Sequence, residues 1–453
     1  MNFNIFSLHP VVGEGARQAG YVTPTPIQAQ AIPEVMQGRD VMGLAQTGTG
    51  KTAAFVLPIL HRLIDRHHGG TNGRTCHRKS GEKHGSAPGR IGALIIAPTR
   101  ELAEQIHVAI ESLGCRTRLR SAAIYGGVGI NPQIQALKRA DIVVACPGRL
   151  LDQIDRGNVD FSGLEVLVLD EADQMFDMGF FPDVRRIVAH LPDAGRQTLL
   201  FSATMPEEIR HLADEVLQDP VTVQIGSAAP ADSVSHALFP VAPHLKTALL
   251  IKLLGHHAPT GSVLVFTRTK FRAKSLDQKL ARAGYRSTSL QGNLSQGRRR
   301  AALDGFRCGE FQIMVATDIA ARGIDISNVS HVINYDIPAT PEAYIHRIGR
   351  TGRAERSGEA FTLVTHEDTS MVRAINAAVG SRVEQRRLQD FNYDAPPASG
   401  GNKDRTPARR AQPGGERKMT KARKRGDKGA FGWLTSDPPR RAGRRGKPSE
   451  MNR

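Results

Sequence analysis

Short, continuous apolar runs recur along the first half of the chain, and segments long enough for a helix separate them. The runs are Val41 to Leu44, Ala93 to Ala97, Ile142 to Ala145, Val166 to Leu169 and Thr198 to Phe201. Their apolar residues are consecutive and do not alternate with polar ones, which is typical of strands buried on both faces. The pattern therefore predicts a parallel β-sheet covered by helices.

A second series of strands and helices follows a small, polar segment, GSAAPADS, which begins after Ile225. Its composition is typical of a linker between domains, and we predict the linker at residues 226–235. The predicted strands of the second series are Ser262 to Thr267, Ile313 to Ala316, His331 to Asn334 and Phe361 to Val364. The predicted fold class is α/β, with parallel-sheet domains at residues 1–225 and 236–390.

The last segment, residues 391–453, is rich in Pro, Gly, Arg and Lys and has almost no apolar periodicity, so we predict a disordered tail. Residues 395–453 contain 17 Lys and Arg against 5 Asp and Glu, and so carry most of the net charge of +17. This charge indicates a polyanionic partner, although it could serve only solubility. Phe431 and Trp433 could stack on exposed bases or dock on a partner protein.

The basic loop from His67 to Arg90 contains Cys76, His77 and His84. One cysteine with irregularly spaced histidines makes a poor zinc site, so we interpret this segment as a solvated loop. The four cysteines of the chain lie far apart and form no CxxC pair, which is typical of reduced thiols. Without an export signal or an apolar run of about 18 residues, the predicted location is cytoplasmic.

A phosphate-binding motif follows the first apolar run. It consists of Ala45, Gln46, Thr47, Gly48, Thr49, Gly50, Lys51 and Thr52. The glycines allow backbone N–H groups to turn onto phosphate oxygens, Lys51 supplies a positive charge, and Thr52 can place its hydroxyl on Mg²⁺. The strict pattern begins with glycine where this chain has Ala45. The octapeptide alone could therefore also be an ordinary glycine-rich turn.

A cluster of carboxylates, Asp170, Glu171 and Asp173, follows the run Val166 to Leu169 directly. In P-loop enzymes a carboxylate at the end of such a strand holds Mg²⁺, and the adjacent acid can orient or deprotonate water. A solvated acidic turn is the alternative for these residues alone. The phosphate-binding motif earlier in the chain favours the catalytic interpretation.

With these motifs in place, the sequence resembles a DEAD-box RNA helicase over residues 3–390, and it is most similar to the bacterial RhlE-type subgroup. The matching stretches are GYVTPTPIQ (20–28), AQTGTGKT (45–52), PTREL (98–102), Gly126-Gly127, PGR (147–149), DEAD (170–173), SAT (202–204), VFTR (265–268), Gln291-Gly292 with Gln296, ATDIAARGID (316–325) and HRIGRTGR (346–353). The resemblance implies two RecA-like domains, ATP and Mg²⁺ as cofactors, and RNA as the partner.

For ATP, the resemblance implies that Gln28 reads the adenine edge and that Phe3 stacks on the base. Residues 45–52 would bind the nucleotide, with Lys51 on the β- and γ-phosphates, Thr52 and Asp170 on Mg²⁺, and Glu171 activating the attacking water. The contacts implied from the second domain are Gly323, Asp325 at the ribose, and the arginine fingers Arg350 and Arg353.

For RNA, the resemblance implies contacts along the sugar-phosphate backbone of one strand, which confer little sequence preference. These contacts are Pro98, Thr99, Arg100, Gly127, Pro147, Gly148, Arg149, Arg268, Gly292, Gln296, Thr317 and Arg322. Ser202, Ala203, Thr204 and His346 would couple the RNA and ATP sites. The family usually has threonine where this chain has Cys146, and because a thiol is a weaker donor than a hydroxyl, we expect somewhat weaker RNA affinity.

Two other functions compete with an ATP-dependent RNA helicase. A DNA-acting translocase is disfavoured by the Gln28 motif and the DEAD tetrapeptide. An RNA-binding scaffold without catalysis is disfavoured because four catalytic candidates are present: Lys51, Glu171, Arg350 and Arg353. The basic tail could recruit proteins of ribosome assembly or RNA decay.

Overall fold

The computed structural model of the protein describes residues 2–46, 48–68, 90–192, 195–225, 234–257, 261–321, 329–352 and 358–396. The predicted contacts that lie outside these residues are Thr47, Arg322, Gly323, Asp325 and Arg353. Most of the predicted linker, Cys76, His77 and His84 of the predicted 67–90 loop, and the tail from residue 397 onward also lie outside them.

The first half of the described chain forms a parallel sheet. Its strands are β1 (Val41–Leu44), β2 (Ala93–Ile96), β3 (Ser121–Ile124), β4 (Ile142–Ala145), β5 (Val166–Leu169), β6 (Gln197–Ser202) and β7 (Val221–Gln224). They pair in parallel in the order β3-β4-β2-β5-β6-β1-β7. The predicted apolar runs thus lie in the sheet, where β2, β4, β5 and β6 are buried along their whole length.

Helices cover both faces of this sheet. They are α1 (Pro10–Gln18), α2 (Pro26–Met36), α3 (Lys51–His68), α4 (Arg100–Leu113), α5 (Ile130–Leu137), α6 (Pro147–Asp155), α7 (Ala172–Asp177), α8 (Phe181–Val188) and α9 (Glu207–Val216), and a 3-10 turn spans Phe3–Phe6. Along β6, Leu199 and Phe201 belong to one hydrophobic cluster and Leu200 to another, so the two faces of the strand pack against different helices.

The second half repeats this architecture. Its strands are β8 (Val234–Pro240), β9 (Val263–Phe266), β10 (Ser287–Leu290), β11 (Ile313–Ala316), β12 (His331–Asn334), β13 (Gly358–Val364) and β14 (Glu384–Gln385). The helices are α10 (Lys246–His257), α11 (Lys270–Arg282), α12 (Gln296–Arg307), α13 (Asp318–Ala321), α14 (Pro341–Ile348) and α15 (Thr369–Val379). The strands are parallel in the order β10-β11-β9-β12-β13-β8-β14. The predicted α/β fold with two parallel sheets is confirmed.

Two boundaries in the structure differ from the predicted ones. Strand β8 begins at Val234, so the last two residues of the predicted linker belong to the second sheet. Phe391 and Tyr393, which we assigned to the disordered tail, pack against the hydrophobic cluster that contains Phe239. These two aromatic rings bury apolar surface against the second domain, and the Pro-rich composition of the surrounding segment did not indicate this packing.

Because all strands of each sheet are parallel, their carboxyl ends meet at one edge, where open α/β sheets bind ligands. In the first sheet this edge carries the loop after β1, the acidic residues after β5 and the Ser202 end of β6. In the second sheet it carries the residues after β9, β10 and β11. Among the described helices, none combines the length and the apolar character that crossing a membrane requires.

Candidate functional site

The loop after β1 has the backbone that a phosphate site needs. Gly48 and Gly50 have φ angles of 84° and 95°, a left-handed conformation that glycine adopts without strain. Helix α3 begins at Lys51, so its N-terminal N–H groups face the loop. Lys51 is 6% exposed, and its Nζ donates to the Ala45 carbonyl at 2.9 Å. The loop thus holds the Lys51 ammonium group at the positive end of a helix. This arrangement is suited to binding phosphates.

The side chain of Gln28 on α2 braces this loop. Its Nε2 donates to the Gly50 carbonyl at 3.1 Å, and its Oε1 accepts from the Thr25 N–H at 2.9 Å. A Cβ at residue 50 would lie 2.5 Å from Gln28 Nε2, so the close packing requires glycine there. Each amide atom retains a second hydrogen or lone pair. Gln28 is 1% exposed, so its buried amide ties α2 to the phosphate loop.

A groove of about 640 Å³ extends from this loop between α4 and α12, within the volume range of ligand sites. Among the residues that line it is Tyr21, which sequence reasoning missed. Phe3, which we predicted to stack on the base, is only 5% exposed and packs edge-on against Phe6 and Tyr21. The structure thus places Tyr21 on the wall of the groove and packs the buried Phe3 ring against it.

The acidic residues after β5 occupy a strained turn. Asp170 and Glu171 are 2% and 3% exposed, and the Glu171 N–H donates to Asp170 Oδ1 at 3.0 Å. Glu171 has a φ of 54°, a left-handed conformation that is uncommon outside glycine and that clusters at functional sites. This turn starts α7 and keeps the two carboxylates side by side at the carboxyl edge.

Burial changes the proton affinity of both carboxylates. Loss of hydration raises the pKa of Glu171 to about 7, and the nearby Lys51 charge opposes this effect only in part. Burial likewise raises the pKa of Asp170 above its usual value. A carboxylate whose pKa lies near 7 can accept a proton at neutral pH, as a general base must.

The third acid connects these residues to the end of β6. Asp173 Oδ2 accepts from the Ala203 N–H at 3.2 Å and from Thr204 Oγ1 at 3.5 Å. Ser202 Oγ accepts from the Asp173 N–H at 3.3 Å and donates to the Thr204 carbonyl at 2.7 Å. Residues 202–204 are thus hydrogen-bonded to the acidic turn.

Residues of the second sheet complete the cleft. A cavity of about 80 Å³ is lined by Lys51, Glu171 and Thr204 from the first half of the chain and by His346 and Arg350 from the second. Arg350 follows α14, is 7% exposed, and its positive charge lowers the pKa of Glu171. The structure therefore brings Arg350 together with the phosphate loop and the acidic turn.

A second contact between the two halves lies at the start of α4. Glu101 Oε1 accepts from Arg299 Nε at 2.7 Å and from Gln296 Nε2 at 3.4 Å, and both charged side chains are nearly buried. Gln296, predicted to touch RNA, thus bonds the first half of the chain. Sequence reasoning missed Glu101 and Arg299 because these partners lie far apart along the chain.

The predicted RNA contacts of the first half cluster at the ends of β2, β3 and β4. The Arg100 guanidinium lies against Gly127, where any Cβ would overlap it. Arg149 Nη1 donates to the Val128 carbonyl at 3.3 Å. The Thr99 hydroxyl accepts from the Leu102 N–H at 3.2 Å and caps α4, while Pro98 and Pro147 are buried and Gly148 is exposed. Backbone groups and two arginines thus form this surface.

In the second sheet, Arg268, Gly292 and Thr317 follow the neighbouring strands β9, β10 and β11. Arg268 and Gly292 are exposed, and the Arg268 N–H donates to Asp336 Oδ2 at 2.9 Å. Thr317 is 9% exposed. The structure brings these three predicted contacts to one edge of the sheet.

Comparisons with known proteins agree with this geometry. Residues 25–212 match the DEAD/DEAH box helicase family, and residues 245–355 match the helicase conserved C-terminal domain. The DEAD-box ATP-dependent RNA helicase RhpA of Helicobacter pylori is 41% identical over 393 residues, which cover 86% of this chain and 75% of that protein. The chain belongs to the DEAD-box ATP-dependent RNA helicase family.

Two further relatives of this helicase are informative. The DEAD-box ATP-dependent RNA helicase CshA of Geobacillus kaustophilus is 40% identical over 387 residues, which cover 85% of this chain and 78% of that protein. The structure of S. cerevisiae Dbp5 bound to RNA and ADP BeF3 aligns with a TM-score of 0.72 at 30% identity, covering 85% of this chain and 95% of that one. The two sheets of this helicase are thus RecA-like domains, and it is an RNA-stimulated ATPase.

Cys146 sits at the N-cap of α6, within the predicted RNA surface, and its side chain makes no capping hydrogen bond. Burial raises the pKa of its thiol to about 12, so the group stays neutral. The position therefore gives the helicase neither a strong donor for a phosphate nor a cap for the helix.

We expect Cys146→Thr to bind RNA a few-fold more tightly and to raise stability by about 1 kcal/mol, since a hydroxyl caps α6 and can donate to a phosphate. Fluorescence anisotropy of labelled RNA and thermal unfolding measure the two effects. Cys146→Ala is the control, because it removes the thiol without adding a hydroxyl. Equal RNA affinity of the threonine and alanine variants would contradict this role for the position.

Proposed function

We propose that this helicase closes its two domains on RNA when ATP binds, and so separates short RNA duplexes or remodels RNA-protein complexes. The observation that supports this most is the position of Arg350 beside Glu171 and Lys51. Catalytic groups from both domains complete one site there, so hydrolysis depends on domain closure. Hydrolysis and release of phosphate would then reopen the cleft and free the RNA.

We assign the ATP contacts of the first domain to the phosphate loop and the acidic turn. Lys51 binds the β- and γ-phosphates. Thr52 and Asp170 fit Mg²⁺, because hydroxyl and carboxylate oxygens are its preferred ligands and it usually takes only one or two carboxylates besides phosphates. When bound, the ion neutralises charge on the phosphates. Glu171 takes the proton of the attacking water.

The second domain contributes the groups that stabilise charge in the transition state. We propose Arg350 and Arg353 as arginine fingers on the γ-phosphate, and Gly323 and Asp325 as contacts at the ribose end of the nucleotide. The position of Arg350 supports its role, and motif matches support the other three. Ser202 to Thr204, through Asp173, and His346 couple this site to RNA.

Gln28→Ala is expected to raise the KM for ATP and to flatten discrimination against GTP, because the variant loses the paired donor and acceptor for adenine and the brace on Gly50. Steady-state ATPase and GTPase assays measure both effects. Gln30→Ala is a matched control, since Gln30 lies exposed on the same helix. If the wild type hydrolyses GTP as fast as ATP, Gln28 does not read the base.

Comparing the ATPase with single-stranded RNA and with DNA of the same sequence tests the proposed function. Because the proposed contacts involve the backbone, where the 2′-OH distinguishes RNA, stimulation should require RNA and depend little on base sequence. Equal stimulation by DNA would favour a DNA-acting translocase. RNA binding without ATP turnover would favour a scaffold.

We further propose that the chain belongs to the RhlE-type subgroup, acts in the cytoplasm, and consists of two domains near residues 1–225 and 234–396 with a basic tail. The order and spacing of its motifs support the subgroup. The charge of residues 395–453 supports a role of the tail in tethering RNA or docking proteins of ribosome assembly or RNA decay.

A further inference from the structure

A second large cavity, of about 670 Å³, lies in the second domain outside the ATP and RNA contacts assigned above. It opens at the carboxyl ends of β8 and β13, beside Pro240 and Val364. Polar residues on its wall include His366, Arg373, Asn376, Arg382, Arg387 and Tyr393. Its volume lies in the range of about 300–1,000 Å³ that is typical of ligand sites.

The arginines of this cavity come from three separate segments. Arg373 lies on α15, Arg382 lies in the turn before β14, and Arg387 follows β14. All three are exposed. Asp394 is the acidic residue on the wall, so the cations outnumber it. Because separate elements place these charges around one hollow, the site has the form of an anion-binding site.

Neighbouring contacts position two of these arginines. The Arg387 guanidinium lies 5.1 Å from the centre of the Tyr393 ring, a cation–π contact that holds it over the aromatic face. Asn376 Oδ1 accepts from the Val383 N–H at 3.0 Å and so secures the turn that carries Arg382. A basic hollow with an aromatic ring suits a nucleic-acid strand, whose phosphates pair with arginine and whose bases stack.

The cavity lies on the same sheet edge as the proposed RNA path. The strand order β9-β12-β13-β8 places it up to three strands from Arg268, which is roughly 15 Å at the usual strand spacing. Asp336, at the end of β12, lies between them and binds the Arg268 N–H, Arg272 Nη1 at 2.6 Å and Lys246 Nζ at 3.8 Å. Lys246 is buried there, whereas the Arg272 side chain is 52% exposed, so Arg268 and Arg272 are the exposed cations of this edge nearest to Asp336.

We infer that this cavity binds the backbone of the RNA segment that flanks the strand held between the domains. The inference rests on the proposed function and extends it, since a longer RNA gains contacts that a short one lacks. The cavity would then favour RNAs with a single-stranded extension. It would also keep such RNAs bound while the two domains open and close during ATP hydrolysis.

The test compares the full-length protein with the triple variant Arg373→Gln, Arg382→Gln, Arg387→Gln, using labelled single-stranded RNAs of about 6 and about 20 nucleotides. Affinity of the longer RNA should fall on the order of tenfold, and the slope of log K against log salt should shrink by about 2 as three phosphate contacts are lost. Affinity of the shorter RNA, and the ATPase rate at saturating RNA, should not change.

Two further variants separate the loss of RNA contacts from unfolding and from a general effect of charge. The double variant Arg373→Gln, Arg382→Gln leaves the contact between Arg387 and Tyr393 intact. It should show about two-thirds of the decrease in salt slope expected for the triple variant, and it remains informative if the triple variant unfolds. The control variant Lys274→Gln, Lys279→Gln, Arg282→Gln removes three exposed cations from α11. It should bind both RNAs nearly as the wild type does.

Unchanged affinity for the longer RNA would overturn the inference and leave an acidic protein segment as the occupant. An equal loss in the α11 variant would also overturn it, because general charge would then explain the effect. Failure of the proposed function looks different, since the wild type itself would then show no ATPase stimulation by either RNA.

Discussion

Replacing Arg350 with alanine is expected to lower RNA-stimulated ATP hydrolysis about 10³-fold while the first domain still binds ATP. Arg350 is nearly buried beside Glu171 and Lys51 in the cleft between the domains. Its guanidinium can neutralise charge that develops on the γ-phosphate, and no other described residue of the second domain on the wall of that cavity is an arginine. Steady-state ATPase at saturating RNA and binding of a fluorescent ATP analogue measure the two properties separately.

Arg350→Lys is the matched control for this variant. Lysine retains the positive charge but lacks the planar pair of N–H donors. The RNA-stimulated ATPase rate of Arg350→Lys should therefore fall between the rates of the wild type and the alanine variant. An RNA-stimulated rate of Arg350→Ala within a few-fold of the wild type would exclude Arg350 as an arginine finger.

The cysteines of the chain offer a direct measure of domain closure. Cys115 in the first domain and Cys308 in the second are exposed, whereas the raised pKa of Cys146 makes its thiol a poor target for labelling. With Cys76 replaced by serine, labels on Cys115 and Cys308 should change their separation when RNA and a non-hydrolysable ATP analogue are both added. A separation that stays constant would contradict the closure mechanism.

Replacing Glu171 with glutamine is expected to lower ATP turnover by a factor on the order of 10² or more, with ATP and RNA binding retained. Glutamine keeps the size of the side chain but cannot accept a proton, and burial raises the pKa of the native carboxyl to about 7. Single-turnover hydrolysis measures the chemical step apart from product release.

Glu215→Gln serves as the control, because Glu215 is an exposed glutamate of the same domain that pairs with Arg185. Its rate should match that of the wild type. A single-turnover rate of Glu171→Gln close to the wild-type value would remove Glu171 from the role of general base.

Central strands were predictable from the sequence, and strands at the sheet edges were not. The runs of β4, β5, β11 and β12 match the structure residue by residue. Strands β3, β7, β10 and β14 were missed because they lie at or near the sheet edges, where solvent reaches them and polar residues interrupt the apolar pattern. Strand β8 was missed because it includes His236, which bonds the Tyr344 hydroxyl at 3.2 Å, and ends in Pro240.

By itself, the sequence determined the fold class, the family and the motifs of the cleft. Each motif is a short segment directly after a strand. The order of residues along the chain therefore specifies both the chemistry of the motif and the sheet edge at which it lies. The tertiary structure alone decided which motifs touch. It placed Arg350 beside Glu171, joined Glu101 to Gln296 across 195 residues, and packed Phe3 against Tyr21, which lines the groove. Such contacts depend on how helices and sheets pack, and neither composition nor periodicity specifies that packing.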